Sequence, residues 1–380
     1  MKELLAEFVS ISSETKDLEG VFQVQKKLHA LLHALGAELR WLDPEVEGYA
    51  PGLLAKWPAS ARNTKLEPGV CLVAHADTVY PKELLKESSF NEESGMLLGS
   101  GVADNKGGLV IAYAALKKLF DEGKLKNTKR PLYLFCSSCE ELGSPAFQTF
   151  IKEFSLNLDF VLGMEPALPD GALIKKRRGN RYYRIEVFGN SVHTGRDLKE
   201  AANPMRGVAL LVDLIEDLKE KHPKISASLN GIKGYPFKFN MSSEKIEMNL
   251  DTRFDLSEDI HAFHEELSRE IASLSFKSPD KKHSGRFSVE IVDDCPAFDS
   301  GMPGAELLEV ANSFSKVEGK KVSFGDGLGS SDCCYFYREG LKILDGLGPR
   351  GGKIHSPEEF IEPESLENRA SALAMSLLEL

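Results

Sequence analysis

The sequence has no apolar run approaching the roughly 20 residues that a membrane-spanning helix requires, no internal repeat and no low-complexity segment. Its six cysteines are too sparse for a disulfide framework in a chain of 380 residues, and Cys333 and Cys334 stand too close together for an easy mutual bridge. Basic residues are in deficit, 47 against 58 acidic for a net charge of −11. That balance argues against nucleic acid or an anionic membrane as the partner. The opening stretch Met1 to Phe8 reads as an amphipathic helix and carries Glu3 and Glu7 where a secretory signal needs an unbroken apolar segment. A cytoplasmic protein is expected. Cys136 and Cys139 have redox or zinc-ribbon spacing, but no second pair follows and the residues around them suit a strand, so reduced thiols are expected.

What is present points to two domains, because the chain exceeds the size of about 250–300 residues at which one core stops growing. The first half alternates short apolar runs with helical patterns, as strand-helix-strand units around a mostly parallel central sheet do. Val70 to Ala74, Leu132 to Phe135 and Phe160 to Met164 are the buried-strand candidates, and Gly107 to Leu119 is a helix by its spacing. From about Arg181 the texture changes. Arg181 to Phe188 alternates polar and apolar residues, as a sheet with one wet face would. Asn203 to Lys221 and Asp259 to Leu274 read as helices, and Ile246 to Phe254 and Arg286 to Val292 as further strands. The expected architecture is an α/β catalytic domain made of residues 1–179 and 295–380, with an inserted α+β domain over 180–294.

The apolar run Leu132 to Cys139 ends in Glu140 and Glu141. An isolated Glu-Glu pair is ordinarily a solvated surface feature. At a strand end, however, one carboxylate can hold a metal while its neighbour, pointing the other way, takes a proton from water. His75 and Asp77 end the first buried strand and share a face by the period of two. Imidazole suits zinc, and a carboxylate two residues on can fix its tautomer, although a lone strand-end histidine is more often structural. Asp104 lies in the glycine-rich turn Gly101 to Gly108 and could equally be a helix N-cap. Glu165 ends a third strand before Pro166, and His355 sits in the segment Gly351 to Glu359. Strand ends of one open α/β sheet are where ligand crevices form. Two metals sharing a carboxylate fit this inventory better than one.

At this point the chain resembles the co-catalytic zinc peptidases that include glutamate carboxypeptidase, acetylornithine deacetylase, aminoacylase and succinyl-diaminopimelate desuccinylase, with glutamate carboxypeptidase-like members nearest. The matching motifs are His75 to Val79, Gly101 to Gly108, Glu140 to Ser144, Glu165-Pro166, His193 to Gly195, Asn240 with Asp251 to Arg253, and His355-Ser356, in family order. The resemblance implies two zinc ions per chain, with cobalt or manganese able to use the same ligands. One ion would be held by His75, Asp104 and Glu165, the other by Glu141, His355 and the bridging Asp104. Asp77 would orient His75, and Glu140 would be the general base that deprotonates water and passes the proton to the leaving amine. His193 would donate to the oxyanion, often across a homodimer formed through a ferredoxin-like inserted domain that also acts as a lid.

The resemblance also places the substrate's terminal carboxylate at Arg253 and Asn240, which by themselves read as a surface strand residue and a turn residue. Gly327 and Gly329 fall in the loop Gly325 to Asp332, which would line the substrate pocket and is otherwise a flexible turn with an N-cap. Two departures stand out. Ser242-Ser243 replaces the usual proline after the asparagine, and Ala167 to Leu173 carries no cation where some glutamate carboxypeptidases place a lysine. The basic run Lys175 to Arg178 comes later and reads as a solvated hinge. Glu165, where aminopeptidase members tend to have Asp, favours cleavage at a C-terminal amino acid. A carboxypeptidase acting on small peptides is therefore the first expectation, and an N-acyl amino acid deacylase the second. A metal-free binding protein and a redox protein built on Cys136 and Cys139 are the alternatives of other classes.

Overall fold

A computed structural model describes residues 1–59, 68–81 and 89–380. Its contacts divide the chain into one unit of Met1–Arg177 with Asp299–Leu380 and a second of Arg178–Phe298.

The first unit is built on a six-stranded sheet in the order Glu38–Leu42, Gly52–Trp57, Leu132–Ser137, Gly69–His75, Leu158–Gly163, Lys342–Leu344. The last four strands run parallel, and Gly52–Trp57 pairs antiparallel both with Leu132–Ser137 and with the outer strand Glu38–Leu42. Every residue of Gly69–His75 is buried, as a central strand covered on both faces requires. The covering is helical. Leu18–Ala34, Lys106–Asp121 and Pro363–Glu379 each bury an apolar stripe, for example Leu109, Ile111, Ala112, Ala115 and Leu116 of the second. That helix can begin against the end of the Leu158–Gly163 strand only because its first turn is glycine: a Cβ on Gly108 would stand 2.2 Å from the carbonyl oxygen of Met164.

Two smaller sheets carry loops to the same edge. Met96–Leu98 pairs antiparallel with Phe360–Ile361, which pairs in turn with Gly351–Gly352. The ladder therefore registers the loop that follows Leu98 against the loop that precedes Phe360. Leu173–Arg177 pairs parallel with Phe324–Gly327. The basic run is thus a strand through Arg177, not a solvated hinge, and Arg177 is buried.

The second unit runs strand, helix, strand, strand, helix, strand. Its antiparallel sheet has the order Ser226–Tyr235, Lys245–Phe254, Gly179–Phe188, Arg286–Cys295, the ferredoxin-like arrangement. Helices Pro204–Lys221 and Ser257–Ser273 bury Leu211, Ile215, Phe263 and Leu267 in one core with Ile185, Val187 and Leu250 of the sheet. Pro204 at the first helical turn and the Asn203 side chain, which accepts the Met205 N–H at 3.0 Å, start the first helix.

Candidate metal centre and active site

The central strands end where the sequence puts its carboxylates. His75 is the last residue of its strand and is buried. Its Nδ1 lies 3.2 Å from Asp77 Oδ1 and 3.0 Å from the Asp77 carbonyl oxygen, so Nδ1 carries a proton and Nε2 is the ring nitrogen turned to the cluster. Nε2 lies 3.0 Å from Asp104 Oδ1 and 3.5 Å from Glu165 Oε1. On the other side of Asp104, Oδ2 lies 3.3 Å from His355 Nε2, which is 3.2 Å from Glu141 Oε2. The two oxygens of one carboxylate thus face two different histidines, each with its own glutamate. Asp104 is not the N-cap of the following helix; Asn105 holds that position, and its amide donates to Glu165 Oε1 at 3.0 Å.

Glu140 and Glu141 do not alternate across a strand end. The strand stops at Ser137, and the pair sits on a single 3₁₀ turn, Glu140–Leu142. Asp77 makes that turn: its oxygens accept the main-chain N–H groups of Glu140 and Glu141, both at 3.2 Å, and the Thr15 hydroxyl at 2.8 Å. The side chains diverge from there. Glu141 goes to His355, while Glu140 Oε2 stands 3.9 Å from His75 Nε2.

Crowding four carboxylates out of water sets their protonation. Burial pushes the Glu165 carboxyl up to about 8 and Glu141 up to about 7, and raises Glu140 as well, with neighbouring carboxylates adding to each. Asp104 is also buried, but hydrogen bonds with His355 and His75 outweigh that cost and hold it low. Burial would lower His75, yet Asp104, Asp77 and Glu165 keep it high, and hydrogen bonds to Asp104 and Glu141 carry His355 up to about 10. Without a cation, the cluster needs bound protons.

The donor set fits divalent metal. His75, Asp104 and Glu141 each offer an atom within 4.8 Å of the others, and Glu141 Oε1 is a buried oxygen with no hydrogen-bond partner. Imidazole with carboxylate suits a borderline ion such as zinc. A family profile described as Peptidase family M20/M25/M40 matches residues 71–379. The chain belongs to that family.

Members of the family are metal-dependent, and this chain is an enzyme of the peptidase or amidohydrolase type. It is 25% identical over 379 residues to carboxypeptidase G2 of Pseudomonas sp. (strain RS-16), covering 99% of this chain and 88% of that one. It is 23% identical over 321 residues to a succinyl-diaminopimelate desuccinylase of Ectopseudomonas mendocina, covering 79% and 80%. The fold matches that of an M20 family metallo-carboxypeptidase from Sulfolobus solfataricus, with TM-score 0.77 at 17% identity over 99% of this chain and 98% of that one.

The remaining expected residues fall in two places. Gly327 and Gly329 line a cavity of about 370 Å³ together with Asp104, Glu140, Glu141, Glu165 and His355. His193, Asn240 and Arg253 belong to the second unit. His193 forms an isolated bridge with Met241, and Thr194 N–H donates to the Asn240 carbonyl at 3.0 Å, so the first two are neighbours. His193 is exposed, and its Nδ1 accepts the Gly195 N–H at 3.2 Å, which leaves a proton on Nε2. Arg253 is not a simple surface residue: it is half-buried, with Nε and Nη2 donating to Asp251 at 2.9 and 3.1 Å and Nη2 to Tyr182 Oη at 2.7 Å.

Sequence reasoning missed Glu359 and Thr15. The buried Glu359 carboxylate accepts the N–H groups of Gly101, Ala103 and Asp104 at 3.0, 2.7 and 2.9 Å. The only signal for it was an acid four residues after His355. As for the two central cysteines, Cys136 and Cys139 are free and buried, and burial raises both thiols. A raised thiol is a poor nucleophile and a poor redox partner.

Proposed function

We propose that this chain is a carboxypeptidase-like metallohydrolase that cleaves the amide bond to a C-terminal amino acid in small peptides. The observation that supports it most is Asp104, whose two oxygens face the His75–Glu165 and His355–Glu141 pairs. One zinc ion would be held by His75, Asp104 and Glu165 and a second by Glu141, His355 and Asp104, with cobalt or manganese as substitutes. Bound there, such ions would polarise the scissile carbonyl and make water a nucleophile near neutral pH.

The chain's own groups supply the rest. Asp77 holds the His75 tautomer and, through the N–H groups of Glu140 and Glu141, the turn that carries the base. Glu140, directed at the centre but belonging to neither ligand set, takes the proton of the attacking water and passes it to the leaving amine. His193, protonated on Nε2, is suited to donate to the oxyanion. Arg253, oriented by Asp251 and Tyr182, would meet the terminal carboxylate with Asn240. A homodimer through the inserted domain is in keeping with Met205, Leu210, Val212 and Ile232, all exposed apolar residues on the Pro204–Lys221 helix and the outer strand Ser226–Tyr235. Six free, buried thiols suit the cytoplasm, and no helix among the described residues is long and apolar enough to cross a membrane.

A second reading, an N-acyl amino acid deacylase, is favoured by the desuccinylase match over 79% of the chain. Hydrolysis of dipeptides, acetyl, formyl and succinyl amino acids, with and without chelator and added zinc, tests both. Chelator-sensitive release of a C-terminal amino acid from peptides supports the first; turnover confined to the small acyl groups supports the second. A zinc-loaded protein that turns over none of them contradicts both.

A further inference from the structure

The cavity of the catalytic unit has two unlike walls. One is the cluster of Asp104, Glu140, Glu141, Glu165 and His355; the other is made of Leu168, Pro169, Ile174, Leu328 and Ile354, with Arg177 as its cation. Leu328 and Ile354 expose 83% and 43% of their surface. They are apolar side chains turned to an open pocket, where burial by a ligand is favourable.

Charge on the apolar wall is already matched within the chain. Arg177 Nε donates at 2.6 Å to Asp345, which is wholly buried, and Nη1 donates at 3.0 Å to the Gly329 carbonyl. Drawing Arg177 toward another anion would leave a buried carboxylate without its cation. The other basic residues on the strands and loop around the cavity are paired too: Lys175 with Asp326 at 3.6 Å, Lys176 with Asp299 at 3.9 Å, Arg350 with Glu318 and Glu362, and Lys353 with Glu358. Among the described residues of this unit that line or adjoin the cavity, these cations are already engaged.

We propose, resting on the hydrolase reading above, that the substrate group entering this cavity is apolar, an aliphatic or aromatic side chain or acyl chain, and not an acidic one. The test is kcat/KM of the metal-loaded full-length enzyme on Xaa-Ala and Ala-Xaa dipeptides, with Xaa running over Ala, Val, Leu, Phe, Asp and Glu. In the series whose variable residue occupies the cavity, kcat/KM rises about fourfold for each added methylene from Ala to Leu, and Glu falls at least tenfold below Leu. Leu328→Arg, a change at an exposed position, raises the Glu-to-Leu ratio of that series at least tenfold. Preference for Asp or Glu in both series, a profile flat across Xaa, or a ratio that Leu328→Arg does not move overturns the proposal while leaving the hydrolase reading in place. No turnover of any peptide or N-acyl amino acid overturns the hydrolase reading, and this inference with it.

Discussion

Glu359 accepts the main-chain N–H of Asp104 at 2.9 Å while standing four residues beyond His355. One buried carboxylate therefore ties the loop of Asp104 to the loop of the exposed His355. Its other two bonds, to Gly101 and Ala103, complete the cradle. Glu359→Gln keeps the shape but puts an amide against N–H donors. The expected result is a loss of about 10- to 100-fold in metal affinity, with little change in the far-ultraviolet circular dichroism, measured by zinc titration of the metal-free protein.

Asp104 and Glu141 should differ when removed. In the proposed arrangement Asp104→Ala would take a ligand from both ions, so metal analysis after dialysis is expected to find neither retained. Glu141→Ala takes a ligand from one, and about one equivalent should remain. Equal losses in the two variants would remove Asp104 from its bridging role.

The metal-free protein should lose stability as pH rises. Glu165 and Glu141 have folded-state values of about 8 and about 7 against an ordinary 4.5, so the folded form binds more protons than the unfolded chain between these limits. His355, raised to about 10, acts in the same direction. The stability contributed by the protonated cluster is full below pH 4.5 and is lost as pH climbs through 7 and 8. Thermal unfolding of chelated protein should show Tm falling from pH 5 to pH 8. Adding zinc at pH 8 should restore it, because the ion replaces the protons.

The convergence of His75, Asp104, Glu140, Glu141, Glu165 and His355 was legible in the chain because most of them follow strands with strong apolar signatures. Val70 to Ala74 and Leu132 to Phe135 lie inside observed strands, and Phe160 to Met164 runs one residue past the end of Leu158–Gly163; each leads to a carboxylate or histidine of the cluster. What the sequence hid has local physical reasons. Glu38–Leu42 is an edge strand whose burial alternates only partly, and Ser226–Tyr235 is an outer strand with mostly polar, exposed residues, so neither has a core-facing pattern to read. Arg177 looked solvated because its partner, Asp345, is 168 residues away. The 3₁₀ turn at Glu140 depends on hydrogen bonds to Asp77, 63 and 64 residues back, which no local pattern encodes.

His193 offers a check on the proposed dimer. His193→Ala should bind metal normally and turn over slowly. Mixing it with Glu140→Ala subunits should recover part of the activity if each site takes its oxyanion donor from the other chain. Absence of recovery, with mixed dimers confirmed by mass spectrometry, would place the donor and the base in one subunit.

The most direct test of the account is the paired metal content and turnover of Glu140→Ala. Glu140 is directed at the cluster yet belongs to neither ligand set, so its loss should leave two metal equivalents per chain and lower kcat by at least the 10²- to 10⁴-fold range that a general base contributes. Retention of wild-type turnover, or loss of metal in step with activity, would contradict the assignment of the base and, with it, the proposed division of labour between Glu140 and Glu141.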